Sequence, residues 1–167
     1  LEGRCPSRPP RHIFEPMKAE RSVMKGLSSL WVLEGVWHLK RDIVHAAGDT
    51  HHLTGEVTFY RDDVRLVQDE RGTLDIGGQR LTAMRRYIWV EGAGGLDVFF
   101  DDMRAFHSVA LNVATHSAVH LCDPDRYEVA YDFTDWLNWS ACWRVTGPRK
   151  DYVMTSHYTP KSDSLAP

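Results

Sequence analysis

Four residues of this chain can move protons if the fold brings them to one cavity: Asp101, His107, Tyr131 and Tyr158. A carboxylate, an imidazole and two phenols cover general-base and general-acid work, so they form the candidate catalytic set. A second set is aromatic. Tyr87, Trp89, Tyr127, Tyr131, Trp143 and Tyr152 combine large apolar faces with an N–H or O–H tip, the mix that lines an apolar cavity and orients what it holds. The segment Gly147-Pro148-Arg149-Lys150-Asp151 is a tight turn carrying two cations. Arg149 and Lys150 suit an anionic headgroup at the mouth of such a cavity, or pairing with Asp101, Asp102 and Asp123. With His107 they complete the candidate ligand-binding set.

His107, His116 and His120 raise the question of a metal. The four-residue separation of His116 and His120 suits a helix face better than a strand, so no metal site is assigned. No cofactor is expected; a haem or metal held by a single histidine, His107, His120 or His157, is the alternative. The sequence holds no nucleophile elbow, P-loop or dinucleotide fingerprint, and Gly92-Ala93-Gly94-Gly95 reads as a hairpin turn. A formal charge of −3 over 167 residues gives no basic footprint for nucleic acid. No apolar run approaches the roughly 18 residues a spanning helix needs. Cys5, Cys122 and Cys142 are odd in number and far apart, which reads as reduced thiols and a cytoplasmic location.

The elements that must position these residues are strands. Trp37, Leu39 and Ile43 alternate with His38, Lys40 and Asp42 over residues 35–43. Leu53, Val57 and Phe59 alternate with Thr54, Glu56 and Thr58 over 53–60. Asp62-Asp63 and Gly77-Gly78 mark turns before further strands at 64–71 and 80–90. More follow at 96–101, 105–111, 118–121, 126–133, 138–146 and 151–159. Even spacing with short turns predicts an all-β fold, an up-and-down antiparallel barrel of about ten strands. A short helix over 17–30 is expected to close one end, with Val23, Met24, Leu27 and Leu30 on one face. The strand at 80–90 is apolar on both faces, which predicts cover outside from that helix or from a second copy paired through residues 87–100.

Residues 1–20 are rich in Pro and Arg and lack periodicity. They read as a flexible tail, and since Leu1 is not a start residue, part of it is expected to be foreign to the natural chain. Residues 21–160 read as the barrel domain and 161–167 as a second tail.

If strands alternate strictly, the turns after the first, third, fifth, seventh and ninth share one end. His45, His51, His52, Asp101, Asp102, Arg104, Asp123, Asp125, Arg149, Lys150 and Asp151 then gather around one rim, the candidate mouth.

The stretch His120-Leu121-Cys122-Asp123-Pro124-Asp125-Arg126-Tyr127, an HLCxPDxY pattern, is followed by Gly147-Pro148-Arg149-Lys150-Asp151-Tyr152. Together with Arg86-Tyr87-Ile88-Trp89, these resemble a small family of bacterial and fungal single domains of unknown function, which implies no settled activity. More distantly, the Gly35-Val36-Trp37 start and the strand count resemble calycin barrels such as lipocalins and fatty-acid-binding proteins. That likeness implies a lumen that holds a ligand. The leading expectation is therefore a protein that binds a small apolar or amphipathic molecule in its lumen, with charged residues at one rim. A small acid–base enzyme (isomerase, lyase or hydrolase) and a non-catalytic oligomerising module are the alternatives.

Overall fold

The structure, a computed structural model, describes residues 26–162. The tail expected at 1–20, residues 163–167 of the tail expected at 161–167, Cys5, and residues 17–25 of the expected helix lie outside the described residues. Lys161 is tied down, its N–H donating to the Val36 carbonyl and its ammonium to Glu56. Ten strands follow one another as hairpins: β1 (Gly35–His45), β2 (Thr50–Asp62), β3 (Arg65–Ile76), β4 (Gln79–Gly92), β5 (Gly95–Phe100), β6 (Ala105–Val109), β7 (Thr115–Cys122), β8 (Asp125–Asp132), β9 (Trp139–Gly147) and β10 (Lys150–Pro160). All pairings are antiparallel, in the order β6-β5-β4-β3-β2-β1-β10-β9-β8-β7. Sequence neighbours pair everywhere except between β6 and β7, and β10 returns to β1, Trp37 facing Pro160 and His45 facing Tyr152. The result is an up-and-down barrel, all-β as the periodicity predicts. Gly77 and Gly78 both have positive φ in the β3–β4 turn, the backbone a two-residue hairpin requires.

The ring is nearly closed. β6 and β7 are the two ends of the sheet and lie side by side without a backbone ladder among the described residues. Side chains bridge them. His116 Nε2 lies 3.1 Å from the Ser108 carbonyl, and the rings of Phe106 and His120 meet edge to face at 5.1 Å.

The N-terminal helix is not there in the described part. Residues 26–29 are irregular, and only a single 3-10 turn, Leu30–Leu33, follows. The reason is tertiary. Gly26 has φ +94°, and a side chain there would collide with the Val113 carbonyl, so the chain runs flat against the β6–β7 connection instead of coiling. Asn112 N–H donates to the Leu27 carbonyl and Leu30 N–H to Glu91 Oε1. Arg61 stacks on Trp31 and bonds Glu34 at 2.6 Å. This strap does close one end of the barrel, with Leu27, Leu30 and Leu33 fully buried.

The interior divides into two levels. At the strapped end, Trp37, Phe59, Leu66, Leu96, Val98, Val109, Phe133 and Trp139 pack with those leucines into a solid core. Trp37 Nε1 donates to the Leu33 carbonyl at 2.8 Å, fixing strap to strand. The other end is hollow. Outer cover over β4 is partial: Ile88 is buried, but Leu81 and Met84 are exposed, so the doubly apolar strand is not sealed outside as the sequence led us to expect. No helix among the described residues is long and apolar enough to cross a membrane.

Trp37 joins strap and core, so its removal tests the lower level. Trp37→Ala is expected to lose about 3–5 kcal/mol in urea denaturation. Trp37→Phe, which removes the bond to Leu33 together with part of the ring, should lose less, about 1–3 kcal/mol. Equal losses would show that the hydrogen bond, and not the packing, carries the strap.

Candidate functional site

The hollow level is a cavity of about 560 Å³, in the range of small-molecule sites. Its floor is the upper surface of the core, Trp89, Trp139 and Tyr158. Its walls come from nearly every strand, because period-2 alternation turns every second residue of a barrel inward.

A polar layer crosses the barrel at this floor. Arg41 stands in β1 in phase with Trp37 and Leu39, and is 5% exposed. Glu70, in phase with Leu66 on β3, meets it: Arg41 Nη2 donates to Glu70 Oε1 at 3.1 Å, and Nη1 lies 2.9 Å from Oε2. Arg41 Nε donates to Ser156 Oγ at 2.7 Å. Gln68 Nε2 donates to Glu70 Oε1, while its Oε1 accepts from Trp89 Nε1. Burial works against the guanidinium's charge, but Glu70 and Tyr158 outweigh it and raise its pKa above the ordinary arginine range. The Nη1–Oε2 contact is ionic and off the hydrogen-bond axis, leaving Glu70 Oε2 without a hydrogen-bond partner among the described residues.

Opposite stands a neutral pair. His107 Nε2 lies 2.8 Å from Tyr131 Oη. Burial, with His120 and His116 adding repulsion, pushes the His107 pKa down to about 3. Burial likewise holds the Tyr131 phenol well above its usual value. Imidazole and phenol are therefore both uncharged at neutral pH. His107 Nδ1 and Trp139 Nε1 have no hydrogen-bond partner among the described residues.

The aromatic wall has a shared orientation. Phe106 lies parallel to Trp143 at 4.9 Å and 5°, and near-parallel to Tyr87 at 5.7 Å and 14°. Trp139 stacks on Tyr158 at 3.7 Å. Toward the open end, Lys150 Nζ bonds Asp125 at 2.6 Å and Tyr127 Oη at 2.8 Å, and Arg104 bonds Asp102 at 2.7 Å.

Of the residues singled out by sequence, Tyr87, Trp89, His107, Tyr127, Tyr131, Trp143, Lys150, Tyr152 and Tyr158 all line this one cavity. Arg149 and Asp101 do not. Both are exposed in turns at the open end, one residue outside the strand that would point them inward. Lys150 pairs with Asp125, and no ion pair joins Arg149 or Lys150 to Asp101, Asp102 or Asp123 among the described residues. His157 is exposed on the outer face, and His116 bonds the Ser108 carbonyl. Among the described residues no group of three or more metal-binding side chains converges. Cys122 and Cys142 are both free thiols. The sequence reading missed Arg41, Gln68 and Glu70. The signal was available: each is a polar residue on the inward parity of an otherwise apolar strand.

The buried pair and the buried imidazole each make a measurable claim. Glu70→Gln should destabilise by about 3–5 kcal/mol because Arg41 is left uncompensated, and Arg41→Met with Glu70→Leu should recover most of that loss. His107 gains its proton near pH 6.5 when unfolded but only near pH 3 when folded. Its contribution to stability is therefore complete above pH 6.5 and is lost as pH falls toward 3, at a slope approaching about 1.4 kcal/mol per pH unit. His107→Gln should remove that slope, and an unchanged pH–stability curve would show His107 to be titrating normally.

The chain belongs to the family of unknown function DUF6314, whose model matches residues 33–160. No curated protein matches it. Among solved structures it is similar to an S-type phycobiliprotein lyase, CPES, from Guillardia theta. The TM-score is 0.56 at 9% identity, over 78% of this chain and 89% of that one, a likeness of fold.

Proposed function

We propose that this DUF6314 barrel binds a small amphipathic molecule in its upper lumen. The observation that carries the reading is the aromatic cavity of about 560 Å³ above a solid core. A barrel evolved only as a scaffold has no need to hold such a volume open, since interiors otherwise pack densely. The ordered polar layer beneath it, and the polar tips of Tyr127, Tyr131 and Tyr152 around it, supply the few orienting contacts that ligand sites combine with apolar walls. The calycin-like architecture expected from the first strand agrees with this use.

An acid–base enzyme on the same lumen is the second reading, favoured by one observation. The His107 imidazole, hydrogen-bonded to the Tyr131 phenol inside the cavity, sets two proton-carrying groups side by side where a bound molecule could reach them. A solved barrel of this fold is named as a phycobiliprotein lyase, which supports a lyase as the form such chemistry takes.

Native mass spectrometry of freshly purified protein is expected to show a retained small molecule or, after its removal, uptake of one equivalent of N-phenyl-1-naphthylamine. Ala141 faces the lumen and is 2% exposed, so Ala141→Phe should fill the space and abolish uptake while the far-ultraviolet spectrum stays that of a barrel. Absence of both retained ligand and uptake by the wild type would overturn the reading. For the enzyme reading, a substrate found this way should turn over in the wild type and bind without turnover in His107→Gln.

A further inference from the structure

We infer that the lumen's ligand is a flat organic anion, its acidic group held by Arg85 and Lys150 and its ring system stacked against the aromatic column of Tyr87, Phe106 and Trp143. This rests on the lumen being a binding site and adds the class of molecule it selects.

The first support is charge. The cavity lining holds four cationic side chains, Arg41, Arg85, Arg104 and Lys150, against one carboxylate, Glu70. Arg41 and Glu70 neutralise each other in the buried layer. Lys150 and Arg104 have Asp125 at 2.6 Å and Asp102 at 2.7 Å, so Arg85 leaves the lining with a net positive charge in a chain whose formal charge is −3. A cleft lined by one sign of charge concentrates ligands of the other.

The second support is where the counter-charges stand. Asp125 and Asp102, the partners of Lys150 and Arg104, are not part of the lining. They hold their cations from outside and leave donors for the lumen. The Lys150 ammonium has three N–H groups; Asp125 and Tyr127 take two. Arg85, at the level of Glu70 on β4, has no carboxylate in ion-pair range among the described residues. Its guanidinium meets the Tyr87 phenol, and with no carboxylate claiming it the fork can take two oxygens of a carboxylate, sulfonate or phosphate side by side. A cationic ligand would meet repulsion here, and a neutral acceptor would gain less from these donors than an anion does.

The third support is shape. Tyr87, Phe106 and Trp143 lie within 14° of one plane direction in successive contact. These rings form a stacked column, and a planar ligand extends such a column at its end.

The test uses two dyes with one skeleton. 8-Anilino-1-naphthalenesulfonate carries a sulfonate on the ring system of N-phenyl-1-naphthylamine, which has none. The sulfonate dye is expected to bind at least about tenfold more tightly than its neutral counterpart. Arg85→Gln and Lys150→Gln should each weaken the sulfonate dye several-fold and together by about tenfold or more, leaving the neutral dye's affinity unchanged. Retained affinity for the neutral dye also reports that the variants are folded. Raising salt should weaken only the sulfonate dye. Equal affinities that ignore both substitutions would overturn the anion inference and leave the lumen reading standing. Failure of the wild type to bind either dye would overturn both. Sulfonate binding that persists in Ala141→Phe would place that dye outside the barrel and overturn the inference.

Discussion

A guanidinium cannot be sealed inside a barrel unless a carboxylate is sealed in beside it. Stripping a charge of water in a medium of low dielectric is far more expensive than any single packing contact can offset. Arg41 meets that constraint with Glu70, and the requirement spreads outward. Glu70 must keep its orientation, so Gln68 bonds it; Gln68 must keep its own, so the Trp89 indole N–H bonds Gln68. Arg41 also recruits Ser156 from β10. One ion pair thus ties β1, β3, β4 and β10 at a single height. Below it the interior is packed rings and leucines, and above it lies the cavity.

That layer explains why two opposed pictures of the interior each describe half of the molecule. A small barrel can be filled by its own side chains, and the strapped half is. The open half also holds rings, among them a stack of Tyr87, Phe106 and Trp143 drawn from β4, β6 and β9, but they leave a cavity of about 560 Å³. Trp89, Trp139 and Tyr158 belong to both halves, as the roof of the core and the floor of the cavity. Substitutions there will not separate stability from binding, whereas Ala141, Tyr152 and Lys150 lie clear of the core roof.

The strands were legible because their code is local. Alternation in 35–43 and 53–60, and turn residues at Gly77-Gly78, are read within a few neighbours, and strict hairpin order then follows from the short connections. The same parity brought nine of the named residues to one cavity. What failed was what depends on distant partners. Residues 26–30 have a helical apolar pattern, but Gly26 pressed on the Val113 backbone and Leu30 bonded to Glu91 fix a different path. Arg149 sits one position beyond the inward phase, a difference smaller than the uncertainty of a strand end read from sequence. Arg41 and Glu70 were passed over for the opposite reason. Charged residues are taken as solvent-facing unless a partner is known, and the partner lay 29 residues away on another strand.

The unpaired junction between β6 and β7 gives the barrel a mechanical character of its own. Elsewhere around the circumference, widening the wall means parting a ladder of backbone hydrogen bonds. At this junction it means parting Phe106 from His120 and Trp143 and releasing the side-chain bonds of His116 to Ser108 and His107 to Tyr131. The molecule is in this respect a split ring, stiff along its hoop except at one slit, and the slit runs beside the cavity. Stress on the wall is therefore met by side chains along that slit and by backbone ladders along the rest of the hoop.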